Sequence, residues 1–264
     1  MLIDIGVNLS SARFAKDVPD VLENAQKADV AKMILTGTSV EDSRSVIGLC
    51  ETYANDFPSM LYATAGIHPH SAETFNANAQ RDLQDMVSHP SVVAVGETGL
   101  DFYRNLASEE AQQRSFEAHL EIAINAKLPL FLHERNAAVR QIEILHTYRD
   151  LFTDAVIHCF TSDRKTLYKY LDMDLHIGIT GWICDERRGR DLQELVADIP
   201  LNRLMIETDS PYLIPRNMAF SPKNNRNEPA FLPWVAEGIS AHRPESKQQI
   251  VADTGITAQR FFRL

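Results

Sequence analysis

The sequence predicts a (β/α)8 barrel, the TIM-barrel class of α/β folds, and three observations carry that prediction. Eight short apolar runs recur along the chain, helical patterns fill the gaps between them, and 264 residues are the length that eight such units need. An open doubly wound sheet usually stops at about five to seven strands.

The first run is LIDIGV (2 to 7), followed by the helical pattern DVPDVLENAQKA. KMILTG (32 to 37) comes next, then SVEDSRSVIGLCETYA, whose serine and acidic residues read as a helix start. LYATAG (61 to 66) and VVAVGE (92 to 97) supply the third and fourth strands. The long pattern SEEAQQRSFEAHLEIAINAK then ends on Lys and Pro stop signals between Asn125 and Pro129, before the fifth strand LPLFLH (128 to 133). DAVIHCF (154 to 160), LHIGITG (175 to 181), the helical RDLQELVADI and RLMIETD (203 to 209) complete the series. Most runs lie ~20 to 35 residues apart, enough for a crossover helix with its loops, which favours one parallel sheet. Without a linker, low-complexity tract or short-period repeat, one domain over 1–264 is expected. The stretch PRNMAFSPKNNRNEP (215 to 229) reads as a long loop after the last strand, and such loops on a barrel serve the site.

The hydrophobic content of 44% is ample for a core. No apolar stretch reaches the ~20 residues of a membrane span and no signal peptide is evident, so a cytoplasmic protein with no membrane partner is expected. Cys50, Cys159 and Cys184 have no CxxC spacing and read as reduced thiols. A net charge of −10 argues against coating nucleic acid through a broad basic face, but not against gripping a few phosphates locally. Nothing demands a dimer, and a monomer is expected.

In a barrel the site forms at the C-terminal ends of the strands. The third strand delivers GIHPH (His68, His70), the fourth GETGLDF (Glu97, Asp101), the fifth LHER (His133, Arg135), the sixth IHCF (His158) and the eighth ETDSPYL (Glu207, Asp209). Singly, each histidine reads as a hydrogen-bonded structural residue and each carboxylate as a helix cap. Together, metal-capable groups on five strands at one level favour a metal site. Imidazole with carboxylate suits Zn²⁺, Mn²⁺, Fe²⁺ or, with fewer nitrogens, Mg²⁺. A bound cation lowers the pKa of its water, so hydrolysis is the expected reaction. Asp209 is placed to orient that water and take its proton, and Glu207 to hold a neighbouring group.

These motifs in this order, with GITGWICDERRG (178 to 189) and the RNEP of the last long loop, resemble the TatD family of metal-dependent deoxyribonucleases. The likeness covers nearly the whole chain and implies a barrel of the metal-dependent hydrolase type. It implies that Glu97, His133 and His158 bind a divalent cation and that Asp209 is a catalytic carboxylate or ligand, with Glu97 also in the catalytic set. It further implies phosphodiester cleavage, in several members as a 3′–5′ exonuclease on single-stranded DNA supported by Mg²⁺, and a role in DNA repair.

The sequence departs from the family on strand one, where Gly6 and Asn8 stand in place of His-x-His. Glycine cannot ligate and asparagine is a weak oxygen donor. One firm metal is therefore expected, with a second bound weakly, and Mg²⁺ is favoured over Mn²⁺ or Zn²⁺; Asn8 joins Glu207 as a supporting residue. His68, His70, Arg135 and Arg188, with Arg187, Arg190 and Arg226, are the candidates for holding phosphate, although a solvated helix start explains 187 to 190 equally well. Trp182, Tyr212 and Phe102 are candidates for base stacking or for plain packing. Two other readings stand beside the DNase: a metal-dependent ester or amide hydrolase such as an aminoacyl-tRNA deacylase, and a catalytically weakened binding or quality-control protein. Cleavage polarity and RNA use stay open.

Overall fold

A computed structural model of the chain describes residues 1–264, with the side chain of Lys223 outside the description. Eight strands form one parallel sheet in sequence order: β1 Leu2–Val7, β2 Val30–Leu35, β3 Leu61–Ala65, β4 Val92–Asp101, β5 Leu130–Arg135, β6 Ala155–Ile157, β7 His176–Ile179 and β8 Leu204–Ile206. The ends of this sheet meet where Val7 bridges Ser210, with Asn8 N–H donating to the Ser210 carbonyl at 2.8 Å and Asp209 N–H to the Gly6 carbonyl at 2.9 Å. The barrel therefore closes through the residues just past β8, beside the candidate site.

Helices α1 Val18–Lys27, α2 Val40–Thr52, α3 Ala77–Met86, α4 Glu109–Ala126, α5 Ala138–Tyr148, α6 Arg164–Asp172, α7 Arg190–Leu195, α8 Leu232–Ser240 and α9 Lys247–Phe262 surround it. Side chains of Ser39, Asn76, Ser108, Asp163 and Ser246 accept from first-turn amides of α2, α3, α4, α6 and α9, satisfying donors that a helix start leaves open. α4 ends on Lys127 in the left-handed region (φ 55°), after which the chain enters β5.

Alternate strand residues sort into two apolar layers. Met33, Leu35, Leu130, Leu132, Leu204 and Ile206 pack outward against helices, while Ile3, Ile5, Ile34, Phe131, Val156 and Met205 fill the interior with Phe261 and Phe262 of α9. The Phe261 ring lies 4.9 Å from that of His176, the first residue of β7, so α9 seals the N-terminal end of the barrel.

Some boundaries differ from expectation. β2 starts at Val30, and β6 and β8 are three residues each, so His158, Glu207 and Asp209 lie just beyond strands and not within them. Positive φ at Cys159 (48°) and Asp209 (51°) turns the chain off the ladder there. The stretch RDLQELVADI is helical only to Leu195 and continues as a 3-10 turn, Val196–Asp198. Among the described residues no helix is long and apolar enough to cross a membrane.

Candidate metal centre and catalytic site

β4 is the longest strand, and its ladder with β5 shifts register between Val95 and Thr98. Gly96 makes that shift possible: at φ 146°, a Cβ there would run into the Phe131 carbonyl. Beyond it Glu97 N–H donates to the Gly37 carbonyl at 2.7 Å, and the Glu97 carboxylate is buried at the mouth of the barrel. Three imidazoles surround one of its oxygens. Oε1 lies 2.9 Å from His133 Nδ1, 3.3 Å from His68 Nε2 and 3.3 Å from His158 Nε2.

The outer partner of each ring fixes which nitrogen carries the proton. His158 Nδ1 lies 2.9 Å from Glu207 Oε2, a carboxylate that can only accept, so Nδ1–H donates and Nε2 is the nitrogen that faces Glu97. Glu207, fully buried, also accepts from Cys159 N–H at 2.5 Å through Oε1. In His133, Nε2 is 3.2 Å from Asp101 Oδ2 and Nδ1 is 2.9 Å from Glu97 Oε1, so both ring nitrogens face carboxylates, which raise its pKa against the opposing effect of burial. His68 is arranged the other way round. Its Nδ1 accepts from His70 N–H at 3.1 Å, so its Nε2 carries hydrogen and donates. His68, Glu97 and His133 form the tightest group of donor atoms, all within 4.8 Å of one another. His68 nevertheless differs from His133 and His158, each of which has a second carboxylate, Asp101 or Glu207, on its other nitrogen.

Electrostatics agree with a cation here. Burial opposes charge on Glu97, but His68, His158 and His133 outweigh it and hold its pKa well below the ordinary value. Burial likewise opposes charge on His158, yet Glu207 and Glu97 raise its pKa well above the usual imidazole range. Positive charge is thus favoured where the rings meet Glu97, and a divalent cation there takes the place of ring protons.

Asp209, seen in sequence as the last strand's carboxylate, sits on the closing seam. Its Oδ1 accepts from Asn8 Nδ2 at 2.8 Å. Burial pushes its pKa up to about 7; the charges of Glu207 and Glu97 also raise it, and His158 and Asn8 pull it down. The left-handed backbone of Asp209 costs about 1–3 kcal/mol. Its own N–H on Gly6 and its carbonyl, which accepts from Tyr212 N–H at 3.0 Å, hold that conformation. Gly6 packs directly against the Glu207 carboxylate, which a Cβ there would have to displace.

Sequence reasoning left Asp101 without a role, yet its Oδ2 accepts from both His133 and His70, the latter at 2.6 Å. A signal existed in its position four residues after Glu97 within one run. His119 was also missed: Ile67 N–H donates to its Nε2 at 3.0 Å, next to His68. Burial pushes His119 down to about 4, so the ring stays neutral and keeps the lone pair that accepts.

The arginines divide. Arg226 does not face the site; it bonds Asp17, Glu228 and the Arg13 carbonyl, tying the last long loop to the first. Arg190 bonds the Glu186 carbonyl at its helix start. Arg135 lies over the exposed Tyr103 ring at 4.5 Å. Arg187 and Arg188 line a groove of about 940 Å³ formed by the loops after β1, β7 and β8, along with Trp182 and Tyr212. Phe102 packs against the core instead. None of Glu97, His133 and His158 lines that groove.

A (β/α)8 barrel with a buried carboxylate and imidazoles converging at its C-terminal mouth defines a divalent-metal hydrolase. The comparisons with known proteins narrow this. Residues 3–263 match the model of the TatD related DNase family, and the chain belongs to that family. It is 44% identical over its full length to the full-length 3′-5′ ssDNA/RNA exonuclease TatD of Edwardsiella piscicida. It is 41% identical to the protein of the same name from Salmonella typhimurium, covering 100% of this chain and 99% of that protein. Among solved structures, the TatD homologue YjjV of Escherichia coli superposes with a TM-score of 0.90 at 26% identity, covering 100% of this chain and 98% of that one.

Proposed function

We propose that this protein is a metal-dependent 3′–5′ exonuclease that removes nucleotides from the ends of single-stranded DNA and also accepts single-stranded RNA, with residues 1–264 working as one hydrolase domain and DNA repair as its setting. The observation that carries this reading is the convergence of the Glu97 carboxylate with His133 Nδ1 and His158 Nε2, in a chain of the TatD related DNase family.

Glu97, His133 and His158 would hold the firm metal, with Asp209 as a further ligand or as the base. A divalent cation in this set polarises a phosphoryl oxygen and acidifies a water. Gly6 contributes no donor and Asn8 offers only a neutral amide oxygen, so a second ion would bind weakly. The oxygen-rich side formed by Asp209 and Asn8 favours Mg²⁺ over Zn²⁺. Asp209, whose pKa burial raises to about 7, takes a proton from the attacking water in its ionised form. His68 donates from Nε2, and with His70 behind it, offers hydrogen to a phosphate oxygen. Asp101 orients His133 and His70 together, and Glu207 fixes the His158 tautomer.

The test is degradation of end-labelled single-stranded DNA and RNA with Mg²⁺ or with EDTA, beside Glu97→Gln. Stepwise shortening from the 3′ end that needs Mg²⁺ and is lost in the variant is expected. Equal activity in parent and variant would overturn the assignment.

A further inference from the structure

The mechanism above uses the barrel mouth and leaves the adjoining groove unexplained. That groove starts at the catalytic seam: Tyr212 N–H bonds the Asp209 carbonyl, and Trp182 N–H bonds Thr180 Oγ1, which lies 3.7 Å from Cys159 Sγ, the residue after His158. Its volume of about 940 Å³ is at the top of the ~300–1,000 Å³ range of ligand sites, more than one terminal nucleotide fills.

The lining is basic in a chain of net charge −10: Arg13, Arg187, Arg188 and Arg216 face only Asp185 and Glu186. Asp185 is already engaged, by Arg216 at 3.0 Å and by the amides of Arg187 and Arg188. Arg13 is braced by the carbonyls of Pro211, Asn224 and Asn225, which hold its guanidinium at the groove without cancelling its charge. Arg188 lies over the Trp182 ring at 5.7 Å, and the Tyr212 side chain is 52% exposed on the same wall. An unpaired strand is recognised by this combination of cations for phosphates and flat faces for bases. A duplex, its bases already stacked, gains nothing from Trp182 and Tyr212.

We infer that the groove between the loops after β7 and β8 is the track for the single strand upstream of the terminal nucleotide, with Tyr212 and Trp182 as stacking faces and Arg187, Arg188 and Arg13 as phosphate contacts. This rests on the nuclease reading and adds a length preference that the metal centre alone does not create. The strand is held by its body while its end is cut, so a long single strand binds better than a trinucleotide.

The experiment measures binding of 5′-fluorescein-labelled dT3 and dT15 by anisotropy, in a non-cleaving Glu97→Gln background, with and without Arg187→Glu plus Tyr212→Ala. Both added substitutions are at exposed side chains. The preference for dT15 over dT3 should fall about tenfold or more, and the salt dependence of dT15 binding should become shallower. Parallel weakening of both oligonucleotides, or no weakening of either, would overturn the track. Binding is read without turnover, so failure of the nuclease assay and failure of the track are separate outcomes.

Discussion

The two ends of this barrel are made from the same eight strands and obey opposite rules. At the floor, Phe261 and Phe262 close over Ile3, Ile5, Ile34 and Met205, and the polar pair present, His176 and Asp154, bonds to itself at 3.0 Å. At the mouth, Glu97, Asp101, His158, Glu207 and Asp4 are all buried, and positive φ at Cys159 and Asp209 adds strain. The floor supplies stability, and the mouth consumes part of it to hold charges that water would otherwise solvate. Chemistry therefore sits where stability is lowest and positional control is greatest.

Four substitutions test that division, in decreasing order of effect. Asp209→Asn removes the base proposed for the mouth, and kcat should fall by about 10²–10⁴ with the melting temperature unchanged or higher. Calorimetry beside single-turnover kinetics checks both parts; a fold lost along with activity would erase the contrast. Phe261→Ala is the mirror experiment at the floor. It should destabilise by about 3–5 kcal/mol in denaturant titration while the surviving folded protein keeps its kcat.

Glu207→Gln tests the link between the regions, because Glu207 lies under the site and fixes His158. The amide keeps one acceptor where the carboxylate has two, for His158 Nδ1–H and Cys159 N–H, and it loses the negative charge, so metal affinity should drop by about 10–100-fold in titration calorimetry. Unchanged affinity would remove His158 from the ligand set. The smallest effect concerns Asp4, whose oxygens meet Thr208 N–H at 2.9 Å and Thr208 Oγ1 at 2.6 Å. Burial pushes its pKa up to about 8, so from about pH 4 to 8 the folded state binds the extra proton and stability falls as pH rises. Asp4→Asn removes that slope, and the variant should gain in melting temperature relative to the parent across this window. A constant difference would mean that Asp4 is ionised throughout.

The comparison also explains what could be read in advance. The strands were legible because burial on both faces leaves continuous apolar runs, as in LIDIGV, where all six residues are buried. The convergence of Glu97 with His133 and His158 was legible because each lies at the end of such a run, and a barrel brings its strand ends together. Helix α5 was less legible, since RNAAVRQIE lacks the capping side chain that Ser108 gives α4.

By itself the sequence determined the fold class, the metal-capable side chains and the absence of histidines at Gly6 and Asn8, since periodicity and side-chain chemistry are local properties. Tertiary structure alone decided which ring nitrogens point inward, because a tautomer depends on partners such as Glu207, 49 positions from His158. It also moved Arg226 out of the site and gathered Arg13, Trp182 and Tyr212 into one groove from three separate loops. Contacts of that kind come from closing the barrel, and no stretch of chain contains them.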